Sequence, residues 1–181
     1  SSLWLFIIAN PTISFGTATI TCDDQAKILL PITSTAGSPD SIEVKVGTNT
    51  YTATIVGSDL SFSRASELVA GDYTATITVG KKGTSCTSET NVSFSVALGG
   101  TMLSKWTEVL FIDNKAGQFV AYQWYENGIA LTGETQQRLY NPAGLPGNYY
   151  CELTMSDGKK VKTCEQTFGD VQGAQVFIGN A

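Results

Sequence analysis

Few side chains in this chain of 181 residues are equipped for chemistry. Histidine is absent, which removes Ser-His-Asp and Cys-His nucleophiles, His-ligated zinc and histidine proton relays together. The 16 Asp and Glu residues are dispersed, with no pairing that suggests a two-carboxylate glycosidase. Asp23, Asp24 and Asp113-Asn114 carry the oxygen ligands that calcium takes, yet their spacing matches no calcium loop, and solvated turns account for them. No catalytic residue, metal set or cofactor motif follows, and a hydrolase is the least supported of the possible functions. The cysteines remain: Cys22, Cys86, Cys151 and Cys164. Their number is even and no two form a Cys-x-x-Cys pair, so disulfides are expected rather than zinc or thiol exchange.

A hairpin locates one bridge. Ser156-Asp157-Gly158-Lys159 separates two extended runs, and Asp-Gly between strands predicts a two-residue type I′ turn. In that register opposed residue numbers sum to 315, which sets Cys151 against Cys164. The rung is a non-hydrogen-bonded one, with Cα atoms about 4.5 Å apart, inside the range of about 4.4–6.8 Å that a disulfide accepts. Two reduced thiols facing each other are the alternative. Of the three pairings open to four cysteines, acceptance of 151–164 leaves Cys22 with Cys86. The same register puts Lys160 and Lys162 on the face of Leu153 and Met155, so the hairpin tip is expected to project beyond the core. Disulfides imply an extracytoplasmic compartment.

Strands must position these residues. Charged residues make up 15% and hydrophobic ones 42%; with charge well below the roughly 25% usual in soluble domains, Ser and Thr supply much of the polarity. Apolar residues alternate with Ser or Thr at Ala18, Ile20 and Cys22, at Ile42, Val44 and Val46, at Tyr73, Ala75, Ile77 and Val79, and at Val92, Phe94, Val96 and Leu98. Period two over short runs predicts half-buried antiparallel strands. Turn clusters at 36–40, 56–59 and 80–83, and at Gly128 and Gly133, punctuate them, and no helix is indicated. The longest apolar run, 3–9, has seven residues where a membrane span needs about 20; it reads as a buried first strand, with no membrane insertion. Eleven Lys and Arg against 16 Asp and Glu give a net charge of −5, the wrong sign for nucleic acid or an anionic membrane surface.

Gly99-Gly100 is the strongest break, dividing the chain into domains 1–98 and 99–181, each the size of a small sandwich. The halves repeat each other. Leu68-Val69-Ala70-Gly71-Asp72-Tyr73 opens a strand that turns at 80–83, and Leu145-Pro146-Gly147-Asn148-Tyr149 opens one that turns at Asp157-Gly158. A glycine turn feeding a strand-initial Tyr lets the ring pack inside while its hydroxyl caps nearby backbone.

Gln123-Trp124-Tyr125-Glu126-Asn127-Gly128 followed by Gly147-Asn148-Tyr149-Tyr150-Cys151 resembles the strand C and strand F signature of immunoglobulin-like domains: a core Trp, a tyrosine corner and the strand F cysteine. The run Glu108-Val109-Leu110-Phe111-Ile112 lacks the strand B cysteine of that family. The resemblance implies an all-β fold of two tandem immunoglobulin-like antiparallel β-sandwich domains. In such an order the end of strand B and the start of strand G share a pole, which suits Cys22–Cys86. The second half also looks like modules near the C-termini of Bacteroidetes surface proteins, and the first like repeat and PKD-like domains of bacterial adhesins, through Leu-x-x-Gly-Asp-Tyr and Gly-Thr-Ser-Cys. What this implies is a secreted or outer-membrane-attached, non-enzymatic spacer or adhesion module, with an unidentified protein or glycan as partner.

Trp4 and Trp106 mark the alternative, a carbohydrate-binding module of a polysaccharide-utilisation protein, because an exposed aromatic face can stack on a sugar. Their apolar strand contexts point instead to burial in the sandwich or at an inter-domain seam. Trp124 reads as core.

Overall fold

Alternation of apolar and hydroxyl side chains produces strands and, among the described residues, no helix. The computed structural model describes residues 9–17 and 19–168. The expected first strand over 3–9 lies outside them except for Ala9, which is in no strand, and Trp4 lies outside them too. The chain divides into two compact units, one ending at Ala97 and the other beginning at Leu98.

The first unit contains β1 (Thr12–Phe15), β2 (Thr19–Cys22), β3 (Lys27–Ala36), β4 (Ser41–Val46), β5 (Asn49–Val56), β6 (Asp59–Ser63), β7 (Gly71–Gly80) and β8 (Thr87–Ala97). They hydrogen-bond in the order β1-β3-β6-β5-β4-β7-β8-β2. The ladder folds over at β5, whose residues 49–52 pair with β4 while residues 53–56 pair with β6. One face of each half meets in a core of Ile28, Leu30, Val44, Leu60, Phe62, Ala75, Ile77, Val79 and Phe94, among others. Tyr73 opens β7 with its hydroxyl donating to the Val69 carbonyl at 2.7 Å, and its ring stacks on Phe94.

Two expectations change here. β2 runs parallel to β8, with Ile20 opposite Ser95, whose side chain bonds Asp72 on the outer surface. That parity turns Ile20 outward and buries Thr21, the reverse of the alternation expected there; Ala18, the first residue of that expected pattern, lies outside the described residues. Cys22 also lies opposite Ala97, at the far end of β8 from Cys86, which immediately precedes it. Eleven residues of strand at about 3.3 Å each separate those ends by roughly 35 Å, so the expected Cys22–Cys86 bridge does not exist. Cys86 is a free thiol, while Cys22 is disulfide-bonded.

The second unit contains β9 (Met102–Lys105), β10 (Val109–Ile112), β11 (Phe119–Glu126), β12 (Ile129–Ala130), β13 (Arg138–Tyr140), β14 (Gly147–Met155), β15 (Lys160–Lys162) and β16 (Gln166–Phe168). One sheet has the order β13-β10-β9, the other β12-β11-β14-β15, with β16 also on β14. This is the immunoglobulin-like division of strands A, B and E from C′, C, F and G. Trp124 is fully buried, its indole N–H donating to the Gln136 carbonyl at 2.9 Å. Tyr149 is buried, with its hydroxyl 2.8 Å from Glu126 Oε1 and 3.2 Å from the Pro146 carbonyl. Both units are therefore all-β, immunoglobulin-like sandwiches in tandem.

The hairpin between β14 and β15 differs from expectation by one residue. Met155 accepts from Gly158 and donates to Lys159, and Leu153 opposes Val161. The loop is thus three residues, 156–158. Gly158 has a φ of +83°, while Asp157 is not among the residues with positive φ, as a type I turn closed by a left-handed glycine requires. A slip of one residue exchanges the faces of a whole strand: Val161 and Thr163 point inward, and Lys160 and Lys162 no longer share the face of Leu153. Thr163, not Cys164, then meets Cys151, whose N–H donates to Thr163 Oγ1. By β16 the opposed pairs are Gly147 with Phe168 and Tyr149 with Gln166, so one extra residue has entered the strand around Cys164 as a bulge. The expected Cys151–Cys164 bridge is absent for that reason: Cys151 is a buried free thiol, and Cys164 is disulfide-bonded.

Candidate functional site

The run Val109 to Ile112 contains four apolar residues in succession, so in a strand two of them must face away from the core. Leu110 and Ile112 point inward with Met102 and Leu139. Val109 and Phe111 look out. Register assembles the rest of that outer face: Lys105, Val109 and Tyr140 form one rung, and Leu103, Phe111 and Arg138 the next. Leu103, Tyr140 and Trp106 are all among the exposed large apolar side chains.

Trp106 follows Lys105 at the β9–β10 turn. Its burial, expected from the flanking strand, does not occur: the residue is 72% exposed. Its backbone is left-handed, with φ at +56°, a conformation costing an ordinary residue about 1–2 kcal/mol. The Lys105 ammonium lies 4.6 Å from the centre of the indole, a cation–π contact worth about 0.5–1 kcal/mol at an exposed site. The turn itself is anchored, because Asn141 donates to the Glu108 carbonyl at 2.9 Å and Leu145 to that of Thr107 at 2.8 Å. Further along, Phe111, Gln136, Gln137 and Arg138 line a shallow hollow of about 410 Å³. Gln137 Nε2 donates to the Ile112 carbonyl.

This face is an aromatic and aliphatic surface with two cations, an arrangement that suits contact with a ligand having both apolar and polar faces. Tyr140, Phe111 and Arg138 went unrecognised in the sequence, although the unbroken apolar run 109–112 was the available signal, since a one-sided strand would alternate.

The other residues singled out serve elsewhere. Asn114 is structural, its side chain bonding the Phe119 N–H and carbonyl and the Tyr122 hydroxyl. Asp113 pairs with Lys115 at 3.2 Å. Asp23 and Asp24 occupy the turn after β2, and no group of three or more metal-ligating side chains occurs among the described residues. Lys81 clasps a neighbouring turn through Asp40 and the Ser38 carbonyl. The Asp40 carboxyl is held below its ordinary range, first by the Lys82 N–H and also by the Lys81 charge.

Titin Ig tandem domains A164-A165 match at 13% identity over 87% of this chain and 95% of that one, with a TM-score of 0.36. The Bacteroides ovatus mixed-linkage glucan utilization locus protein SGBP-B, solved with a mixed-linkage heptasaccharide, matches at 15% identity over 88% of this chain, with a TM-score of 0.37. The chain spans 47% of the length of that protein. Fibronectin(III)-like modules of Clostridium thermocellum CbhA match at 11% identity over 87% of this chain and 90% of that one, at 0.34. No family model matches the chain, and neither does any curated protein sequence. The strand order stated above, not these slight likenesses, carries the fold.

Proposed function

We propose that the chain is a non-enzymatic, extracytoplasmic recognition module that binds glycans through the outer face of β9, β10 and β13. The observation that carries this reading is Trp106, a large aromatic side chain left in solvent on a left-handed backbone. Strained and exposed together, it adds little to the packing of the domain beyond its contact with Lys105, and such residues gather where a ligand is met. Tyr140 and Phe111 extend the aromatic surface along the sheet. The oxidised Cys22 and Cys164 support an extracytoplasmic setting.

Affinity electrophoresis through gels containing a panel of polysaccharides tests it. Retardation by at least one of them, reduced for Trp106→Ala and Tyr140→Ala at unchanged melting temperature, is the expected result. Free migration in every gel would reduce the chain to a spacer between other modules.

A further inference from the structure

Resting on the glycan reading, the charges of the same face narrow the ligand class. We infer that the β9–β10–β13 face takes an acidic polysaccharide, one whose sugar rings carry carboxylates, with Arg138 and Lys105 as the groups that recognise them.

The chain has only 11 Lys and Arg against 16 Asp and Glu, so an acidic ligand is not attracted by the molecule as a whole and needs local cations. Three of the 11 are already engaged with carboxylates: Lys81 with Asp40, Lys115 with Asp113, and Lys160 with Glu152. Arg64, the other arginine, is used structurally, donating to the Gln25 and Leu68 carbonyls. Lys105 and Arg138 make no salt bridge among the described residues, and both are exposed.

They flank the aromatic surface. Lys105 is on edge strand β9 and Arg138 on edge strand β13, one rung apart. Two strand spacings across the sheet and two residues along it place their Cα atoms roughly 12 Å apart, a span that an oligosaccharide lying across Val109 and Phe111 covers. The Lys105 ammonium rests over one face of the indole, which leaves the other face to a sugar, with the cation within reach past the ring edge. At the other end Arg138 lines the same hollow as Phe111, Gln136 and Gln137, and the fork of its guanidinium can hold a carboxylate with two parallel hydrogen bonds. A run of Asp or Glu offers the same charge without a ring face to cover the indole, whereas every residue of an acidic glycan carries both, which favours the glycan.

The experiment measures binding of the full chain to a polyuronate, to the same polymer after carboxyl reduction, to a neutral glucan, to dextran sulfate and to polyglutamate. Expected is binding to the polyuronate that weakens with added salt and falls about tenfold or more both on carboxyl reduction and in Arg138→Gln. Arg138→Lys, which keeps the charge and loses the fork, should fall between. Thermal unfolding of each variant confirms an intact domain. Equal binding to the reduced polymer or the glucan, lost in Trp106→Ala, would overturn the acidic ligand and leave the glycan reading standing. Polyglutamate binding as tightly as the polyuronate would overturn it by showing charge without sugar recognition, and dextran sulfate doing so would overturn it by showing that any anionic polymer satisfies the cations. Should nothing bind, the reading beneath it fails too.

Discussion

Trp106 shows how a single position can be costly to the fold and useful to its surface. Asparagine tolerates the left-handed backbone far better than tryptophan. Trp106→Asn is therefore expected to relieve about 1–2 kcal/mol of backbone cost while losing about 0.5–1 kcal/mol of contact with Lys105. The melting temperature should stay level or rise slightly while polysaccharide retention disappears, and calorimetry beside affinity electrophoresis reads both. Two buried acids act in the opposite sense on pH. Burial pushes the Cys151 thiol from 9.0 up to about 12, and burial together with the Glu126 carboxylate raises the Tyr149 phenol from 10.0 to about 12. The native state holds these protons more tightly than the unfolded chain. Their stabilisation is complete below about pH 9 and is lost as pH rises toward 12. Melting followed by circular dichroism should thus decline steeply above pH 9, and Cys151→Ala should flatten the first part of that decline.

At the scale of elements, turn chemistry decides register. Asp-Gly serves both a two-residue type I′ loop and the third-residue glycine of a type I loop with a bulge. The sequence offered a hint in the discomfort of Lys160 and Lys162 beside Leu153; the three-residue loop removes it by turning Val161 inward instead. Gly158 meets no atom within 4 Å of where a Cβ would stand. Gly158→Ala should therefore cost only the backbone term, about 1–2 kcal/mol, seen as a lower melting temperature with no change in ligand binding. The repeated glycine-to-tyrosine element was legible in advance, because both tyrosines need a backbone acceptor a few residues upstream and both find one. Tyr149→Phe removes a buried donor from Glu126 and Pro146 and should destabilise by about 1–3 kcal/mol, more than Tyr73→Phe, whose hydroxyl is the more exposed.

For the whole molecule the redox pattern is the sharpest test. Non-reducing peptide mapping should find Cys22 and Cys164 oxidised, Cys86 open to alkylation in the native protein, and Cys151 alkylated only after denaturation. Side-chain chemistry alone determined the exclusion of imidazole mechanisms, the all-β class, the paired halves and the buried Trp124, since composition and period two are local properties carried by every strand. Which cysteines are oxidised, which way Ile20 faces and whether Trp106 is covered were decided by tertiary structure. Each depends on a partner strand distant in sequence: β8 running parallel to β2, a bulge around Cys164, and a β13 rung that places Tyr140 and Arg138 on the face beside Trp106. A one-residue change in pairing reverses the environment of every side chain on a strand, and nothing local in the chain records it.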